Sequence, residues 1–373
     1  MGERTRILFF LPTLVAGGAE RVVLTIIRNL SKEKFDISLA VLNRHGDVLS
    51  QDLPPDINLI DLKQMRVRSS LPSITRLIRD HNPDIVFSTL DYFSVALAAT
   101  RRFWPRHTKF VARPTILLSA SLAGRRIPHI WRGLTKAALS TADQIVFQSP
   151  EMRDDYATHL NWKKKSGIVI RNPIDLAHLR KCAIETSDEV ELAPSTFNLV
   201  AAGRLEAQKG FDVAIEAIKL AKHRDIDLTI LGAGQLREEL EQYACRMQVQ
   251  HQVHFAGHRS NVYRFFSRAD GFLLSSRFEG FPNVVIEALA CGTPVVATPV
   301  PGLESLFEQL PQCRLAKGFT AVALAEAIDE FVQAGRRHVS PDAVSAFELQ
   351  SVIAQYEEMF VDIHLAGRRG RSG

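Results

Sequence analysis

Residues 271–301, GFLLSSRFEGFPNVVIEALACGTPVVATPVP, join an apolar strand, a tight turn, a short helix and a second apolar strand. That order is a βαβ crossover, the unit of a parallel sheet. Proline fixes φ at about −65° and lacks an N–H, so Pro282 suits the first helical position and Phe281 falls outside the helix. Glu279 is then a loop residue. Glu287 falls in the second turn of a helix carrying Val284, Val285, Ile286, Ala288 and Leu289, too apolar for a surface helix. A helix starting there leaves the N–H groups of Asn283, Val284 and Val285 without intrahelical partners, and its positive end faces the same way, so the turn suits an anion. The plainer reading of the two carboxylates is a solvated loop acid and a helix-surface acid.

Upstream, the alternation continues: strand 197–201, helix 211–222, strand 228–231, helix 235–247, strand 253–255 and a helix near 262–268. The first half repeats it, with strands near 6–11, 37–42, 57–62, 85–88, 109–113, 144–148 and 167–171. Helices fall between them near 18–31, 71–81, 92–102 and 129–140, and from 150. Short strands alternating with crossover-length helices predict doubly wound parallel sheets, in which ligands bind at the carboxyl ends of the strands. The acidic, proline-bearing run TSDEVELAPST, 186–196, reads as a surface linker and puts a domain boundary near Glu189. The domains are then 1–189 and 190–349. Helices follow over 321–335 and 343–365, and 367–373, with three arginines, reads as a disordered tail.

A chain of 373 residues exceeds what one core usually holds. No apolar run approaches the ~20 residues of a membrane span. Residues 7–19 behind Arg4 and Arg6 imitate a signal peptide, but the pattern runs on into an amphipathic helix with Val22, Val23, Ile26, Ile27 and Leu30 at helical spacing. Cleavage would remove the first strand of a βα unit, so the stretch reads as folded chain. Cys182, Cys245, Cys291 and Cys313 are scattered without C-x-x-C spacing, which fits a reducing cytoplasm and neither zinc nor a disulfide framework. Through Val190 there are 28 Lys and Arg against 19 Asp and Glu, and beyond it 18 against 22. A basic half can face nucleic acid, anionic lipid or a pyrophosphate-bearing substrate, and composition does not choose among them.

Three glycine-bearing turns stand where strands end. Gly17-Gly18 allows close backbone approach to a ligand at a helix N-terminus. GRLEAQKGFD, 203–212, puts Arg204 and Lys209 in one loop, a planar fork and a compact charge that together suit a diphosphate, although lone basic loop residues are commonly only solvated. Gly232-Ala233-Gly234 lacks the third glycine of the dinucleotide fingerprint and is no nicotinamide site. Asp225-Ile226-Asp227 is formally a D-x-D, but it precedes a strand rather than following one and is not read as a metal site.

The stretch EGFPNVVIE, with FEGFPN before and EALACGTPVVAT after, resembles the E-x7-E signature of glycosyltransferase family 4, retaining sugar transferases of the GT-B fold. GRLEAQKGFD is similar to that family's GRL-x3-KG-x-D, PTLVAGGAERVV to its first loop, and NPID, 172–175, to the NP-[IV]-D that closes its first domain. The resemblance covers essentially the whole chain. It implies an α/β, GT-B architecture: two Rossmann-like doubly wound domains facing a central cleft, the N-terminal one for the acceptor and the C-terminal one for the donor, with a helix at about 350–365 crossing back onto the first.

The same resemblance implies a retaining hexosyltransferase that needs no metal or other cofactor. It would move a sugar from a nucleotide sugar, UDP-linked by expectation, to a hydroxyl of a lipid-linked or cell-surface glycan such as lipopolysaccharide. Arg204 and Lys209 would hold and neutralise the diphosphate, Glu279 would touch hydroxyls of the transferred sugar, and Glu287, whose carboxylate accepts two hydrogen bonds in one plane, would hold the ribose diol. Gly17, Gly18, Gly203 and Gly234 would line the donor, and Arg259 stands in the loop 257–261 beside the base. Backbone N–H groups of Gly280, Phe281, Asn283 and Val284 would serve diphosphate and sugar. The leaving phosphate oxygen would help deprotonate the acceptor, so no protein base is required. The chain departs from the family where some relatives carry a histidine near the reacting sugar. Arg113 takes that neighbourhood, either steering the acceptor or simply ending a strand.

Basic clusters at Arg101, Arg102, Arg106 and Lys109, at Arg125, Arg126, Arg132 and Lys136, and at 163–165 are interleaved with Trp104, Ile130 and Trp131. Such a mixture suits peripheral docking on the anionic inner face of a cytoplasmic membrane, or else a solvated face. Another nucleotide-sugar activity of the same fold, such as an epimerase, is disfavoured by the EGFPN…E text. An anionic-polymer binder would explain the basic pI, but no nucleic-acid-binding motif is present and no nucleic-acid partner is expected.

Overall fold

The structure, a computed structural model, describes residues 4–15, 17–162, 167–185 and 192–369, the last three without their side chains. The chain divides into two compact units, Met1–Pro173 with Leu349–Gly373, and Ile174–Glu348.

The first unit is built on parallel strands β1 (Thr5–Leu11), β2 (Phe35–Val41), β3 (Asn58–Asp61), β4 (Ile85–Thr89), β5 (Lys109–Arg113), β6 (Gln144–Phe147) and β7 (Ile168–Val169), in the order β3-β2-β1-β4-β5-β6-β7. Side chains alternate across a strand. Ile7, Phe9 and Leu11 of β1 therefore join one core with Val23, Ile26 and Ile27 of helix Gly18–Asn29. Leu8 and Phe10 join the opposite core with Ile74, Ile78, Phe93 and Leu97. Burial on both faces is why β1 is apolar at every position from Ile7 to Leu11, as a central parallel strand must be.

The second unit repeats the plan with β8 (Phe197–Ala202), β9 (Ile226–Leu231), β10 (Val253–Gly257), β11 (Gly271–Leu274), β12 (Val295–Ala297) and β13 (Arg314–Leu315), in the order β10-β9-β8-β11-β12-β13. Leu199 and Ala201 of β8 face one core and Val200 the other. Both sheets are Rossmann-like, and in each the strand order reverses beside the first strand, between β1 and β4 and between β8 and β11. The carboxyl ends of those strands form the crevice where such sheets bind ligands.

Several expectations need correction. The units divide between Pro173 and Ile174, not near Glu189, because helix Leu176–Ile184 contributes Leu176 and Leu179 to a core of the second unit. The linker residues 186–191, the basic run 163–165 and the tail beyond 369 lie outside the described residues. The last helix starts at Leu349 rather than 343. A separate 3-10 segment, Pro341–Phe347, precedes it, and Glu348 is extended with φ −57° and ψ 133°. That helix belongs to the first unit, whose core receives its Val352, Ile353, Tyr356, Met359 and Phe360. Trp104 is 6% exposed. Its Nε1–H donates to Thr100 Oγ1 at 2.9 Å and its ring stands edge-on to Phe110, so it is core and no membrane anchor.

Arg113 is corrected as well. It is 1% exposed, and its guanidinium donates to Tyr356 Oη at 3.2 Å, to Asn172 Oδ1 and, at 3.5 Å, to Thr89 Oγ1. Asn172, from the motif read as closing the first domain, thereby ties the end of this unit's first segment to β4, β5 and the terminal helix. A side chain this enclosed is an internal tie and cannot steer an acceptor. All three tryptophans, Trp104, Trp131 and Trp162, lie in the first unit, so their fluorescence reports its unfolding alone. In urea titrations followed that way, Arg113→Ala should lose about 2 to 4 kcal/mol of stability and Tyr356→Phe about 1 kcal/mol.

Candidate functional site

At the carboxyl edge of the second sheet the loops leaving β8, β9 and β11 are laced together. Gly203 N–H donates to Leu231 O at 2.9 Å, Leu205 N–H to Ala233 O at 3.0 Å and Leu236 N–H to Leu205 O at 3.2 Å. Gly232 has φ +143°, and a Cβ there would lie 1.9 Å from Gly203 O. The Gly232-Ala233-Gly234 turn is thus a wall packed on the backbone of 203–205, which explains its glycines without a dinucleotide fingerprint.

The β8 and β11 loops meet more tightly. Gly210, at φ +62°, would put a Cβ 2.2 Å from Ser275 O. Across this contact Ser275 Oγ donates to Lys209 O at 2.9 Å, Arg277 N–H to Gln208 O at 2.9 Å and Gln208 Nε2 to Phe278 O at 3.1 Å. Arg277 also grips Asp212 through two hydrogen bonds of 2.8 and 2.5 Å and donates to Ala207 O at 2.7 Å. Burial would raise the Asp212 carboxyl, but the hydrogen bonds and charge of Arg277 outweigh it and hold the group below its usual value. The clamp is therefore intact above the ordinary carboxylate range and is lost as pH falls through that lowered value. Sequence reasoning matched Asp212 to a motif and passed over Arg277. No local pattern marks Arg277, because its partners come from the other loop.

The two predicted cations sit differently. Lys209 Nζ lies 2.6 Å from Glu279 Oε1, with both side chains largely buried, and Ser276 Oγ donates to the same oxygen at 2.8 Å. Gln208 Nε2 lies 3.4 Å from Glu279 Oε2. Lys209 and Glu279, expected to meet different parts of a ligand, are thus each other's partners. Arg204 is exposed, paired at 2.9 Å with the half-exposed Glu206.

Helix Asn283–Ala290 starts one residue later than expected, with Pro282 as its cap at φ −81° and ψ 88°. Asn283 N–H donates to Phe281 O at 3.1 Å and Val285 N–H to Pro282 O at 3.0 Å, so two of the three groups expected to be open are taken within the turn. Phe281 is buried and stacked on Phe347 at 5.3 Å, which fixes the turn preceding the helix. Glu287 is half-buried. Burial and then the Glu287 charge push the Cys291 thiol up to about 12, which places that carboxylate on the Cys291 side of the helix. Arg259 is exposed, its guanidinium 5.9 Å from the Phe265 ring.

In the first unit Gly17 caps helix Gly18–Asn29, with Arg21 N–H donating to Gly17 O at 3.1 Å. The buried Glu20 carboxylate crowds Gly17, whose Cβ would lie 2.1 Å from Glu20 Oε2. Ala16, between this cap and the rest of the predicted loop, lies outside the described residues. Among the described residues, no group of three or more His, Cys, Asp or Glu is placed to hold a metal ion.

Comparisons with known proteins follow this division. Residues 16–178 match the family model "Glycosyltransferase Family 4" and residues 184–342 match "Glycosyl transferases group 1". The chain is 28% identical over 301 residues, 78% of it and 79% of the relative, to the N-acetylgalactosamine-N,N'-diacetylbacillosaminyl-diphospho-undecaprenol 4-alpha-N-acetylgalactosaminyltransferase of Campylobacter jejuni. It is 24% identical to the lipopolysaccharide core biosynthesis glycosyltransferase LpsD of Rhizobium meliloti, over 77% of this chain and 76% of that one. Among solved structures it is similar to Anabaena HepE in complex with UDP, with a TM-score of 0.70, 18% identity, and 99% of this chain and 100% of that one covered.

The glycine contacts yield a paired test. Gly210→Ala, strained in φ and pressed on Ser275 O, should lower stability by more than about 1 kcal/mol. Gly18→Ala, with open space around its Cβ, should leave stability within about 0.5 kcal/mol. Thermal melts followed by far-ultraviolet circular dichroism check both.

Proposed function

This chain belongs to glycosyltransferase family 4, and from that membership we propose that it transfers a sugar from a UDP-linked donor to a hydroxyl of a lipid-linked or lipopolysaccharide glycan, with retention and without a metal ion. The observation that carries the reading is the β8–β11 loop contact, which pairs Lys209, in the loop that also carries Arg204, with Glu279, in the loop that leads into helix Asn283–Ala290. The UDP complex of the Anabaena neighbour supports the donor, and the names of the Campylobacter and Rhizobium relatives support the acceptor class.

In this reading Arg204 and Lys209 bind the diphosphate and neutralise the charge that grows on it as the sugar–oxygen bond breaks, the task a metal would otherwise do. Val284 N–H, at the positive helix end, adds a backbone donor. Glu279 orients hydroxyls of the transferred sugar and Glu287 holds the ribose diol, while Gly203 and Gly234 keep the pocket wall close and Arg259 lies toward the base. The leaving oxygen takes the acceptor proton. Catalysis is mainly positioning and charge stabilisation.

Peripheral docking on an anionic membrane belongs to the same proposal, on a narrower surface than the sequence suggested. No described helix is long and apolar enough to cross a membrane. Arg101 and Lys109 are paired with Asp143 at 2.9 and 3.1 Å, so the first basic cluster is partly spent. Helix Pro128–Ser140 and the residue before it instead expose Ile127, Ile130 and Leu134 among the exposed Arg126, Arg132 and Lys136, and Arg125 lies over Trp131 at 4.0 Å. Apolar side chains ringed by cations match the boundary between headgroups and acyl chains.

Two measurements test the proposal. In thermal-shift and calorimetric screens of nucleotides and nucleotide sugars, UDP should stabilise the chain, Arg204→Ala should weaken UDP binding by about 1.5 to 3 kcal/mol, and Lys209→Ala should weaken binding of the UDP sugar by as much and of UDP alone by less. Unchanged affinity in both variants removes them from the site. In co-sedimentation, the chain should bind anionic and not neutral vesicles, each basic residue at the surface contributing about 1 kcal/mol. Raising salt from 0.1 to 1 M, which shortens the Debye length from about 10 to about 3 Å, should release it. Replacing Arg126, Arg132 and Lys136 with Gln together should weaken binding. A triple variant that sediments like the wild type makes this face solvated surface.

A further inference from the structure

The loop that leaves β8 forms a 3-10 turn at Ala207–Lys209, passes through Gly210 and enters helix Phe211–Leu220. Arg277, in the loop that leaves β11, holds this segment at both ends. At the near end its main-chain N–H donates to Gln208 O at 2.9 Å and its Nη1 to Ala207 O at 2.7 Å. At the far end Nη1 and Nη2 donate to the two carboxylate oxygens of Asp212 at 2.8 and 2.5 Å. Between these points stand Lys209, Gly210 and Phe211. A Cβ on Gly210 would lie 3.6 Å from Arg277 Nη1, so the guanidinium lies across the segment where it has no side chain.

Stability does not account for this arrangement. The Arg277 and Asp212 side chains are 39% and 45% exposed, and an ion pair so solvated adds little once two side chains have been ordered to make it. Nor is Arg277 a free cation at the edge, because Asp212 neutralises it and takes its fork. The contacts instead fix a distance between two loops. Arg277 stands two residues before Glu279, and the segment it grips carries Lys209, whose Nζ lies 2.6 Å from Glu279 Oε1. Ser275 Oγ, donating to Lys209 O at 2.9 Å, holds the main chain of that lysine from the same loop. A planar guanidinium can hold several acceptors at set angles, and an ammonium on a flexible stem cannot.

We propose that Arg277 is a positioning residue of the donor site: it holds the chain on both sides of Lys209 and so sets the reach of that ammonium between Glu279 and a diphosphate. The identity of the ligand as a donor diphosphate rests on the transferase reading, while the hold on residues 207–212 does not. Arg277 itself touches no substrate. A misplacement of about 1 Å in such a group can cost up to about a hundredfold while the fold stays intact. Positioning and simple electrostatics differ in sign at Asp212. Deleting its negative charge would by charge alone tighten an anion, whereas here it frees Arg277, loosens Lys209 and weakens binding.

The test combines calorimetric titration of UDP, UDP-glucose, UDP-galactose and UDP-N-acetylgalactosamine with hydrogen–deuterium exchange of the unliganded full chain. For the UDP sugar that binds the wild type most tightly, Arg277→Ala, Arg277→Lys and Asp212→Ala should each weaken binding at least tenfold, and weaken UDP alone less. The double alanine variant should bind no worse than the poorer single one, since both remove the same contact. Melting midpoints should move by less than about 4 °C. In exchange, peptides covering 207–212 and 275–282 should lose protection in the variants, while those of β8 and β9 keep theirs. Unchanged affinity in Arg277→Ala, full affinity in Arg277→Lys, or tighter binding in Asp212→Ala overturns the positioning role. A wild type that ignores every nucleotide removes the transferase reading. Lost protection at 207–212 then still supports the hold on the Lys209 segment, and unchanged protection overturns it.

Discussion

The second unit depends on one steric constraint: β8 and β11 are neighbours in a parallel sheet, so their loops leave the same edge and must pass each other in contact. The passage is possible because residue 210 has no Cβ and accepts φ +62° beneath Ser275 O. Everything chemical at this edge follows from that approach. Ser275, Arg277 and Gln208 bond across the contact, and Lys209 meets Glu279 because their loops already touch. The Arg277–Asp212 clamp is too exposed to contribute more than about 1 kcal/mol, but its two parallel bonds fix the angle between the loops.

The two units share a strand order and differ in what they hold at the switch. The second presents Arg204, Lys209 and a helix start, groups that suit a diphosphate. The first presents Glu20, Asp91 and Tyr92. Topology assigns a crevice to each sheet, and the groups that stand there differ in charge. The surplus of Lys and Arg in the first half is therefore misleading as a guide to its crevice. Arg126, Arg132 and Lys136 are on the surface around helix Pro128–Ser140, while Arg113 is sealed inside.

What was legible in the sequence was what depends on local order. Strand and helix alternation, the turn before Asn283 and the glycines at strand ends follow from periodicity and backbone chemistry, and the text around Glu279 and Glu287 carried the family. What escaped depends on contacts between distant segments. Trp104 and Arg113 look like surface residues beside other bases, and only packing on Phe110 and on Tyr356 makes them core. The acidic linker looks like a boundary, but Leu176 and Leu179 of the preceding helix belong to the second core. Arg277 carries no motif, because its partner Asp212 comes from a segment distant in sequence.

Lys209 and Arg204, similar in sequence, stand in different energetic positions toward an anion. Arg204 is paired with Glu206 at a solvated surface, where such a pair contributes about 0 to 1 kcal/mol, so its guanidinium can turn to a diphosphate with little opposition. Lys209 is held by a carboxylate that is itself only 8% exposed, and leaving it would strand that charge in a poorly solvated place. In the proposed function a bound diphosphate would therefore share Lys209 with Glu279 rather than replace it, unless a sugar hydroxyl donated to Glu279 at the same moment. The pair would then couple the two ends of a nucleotide sugar, since hydroxyls that satisfy Glu279 would release Lys209 toward the phosphate. A nucleotide diphosphate alone, without its sugar, would meet a lysine that is still engaged.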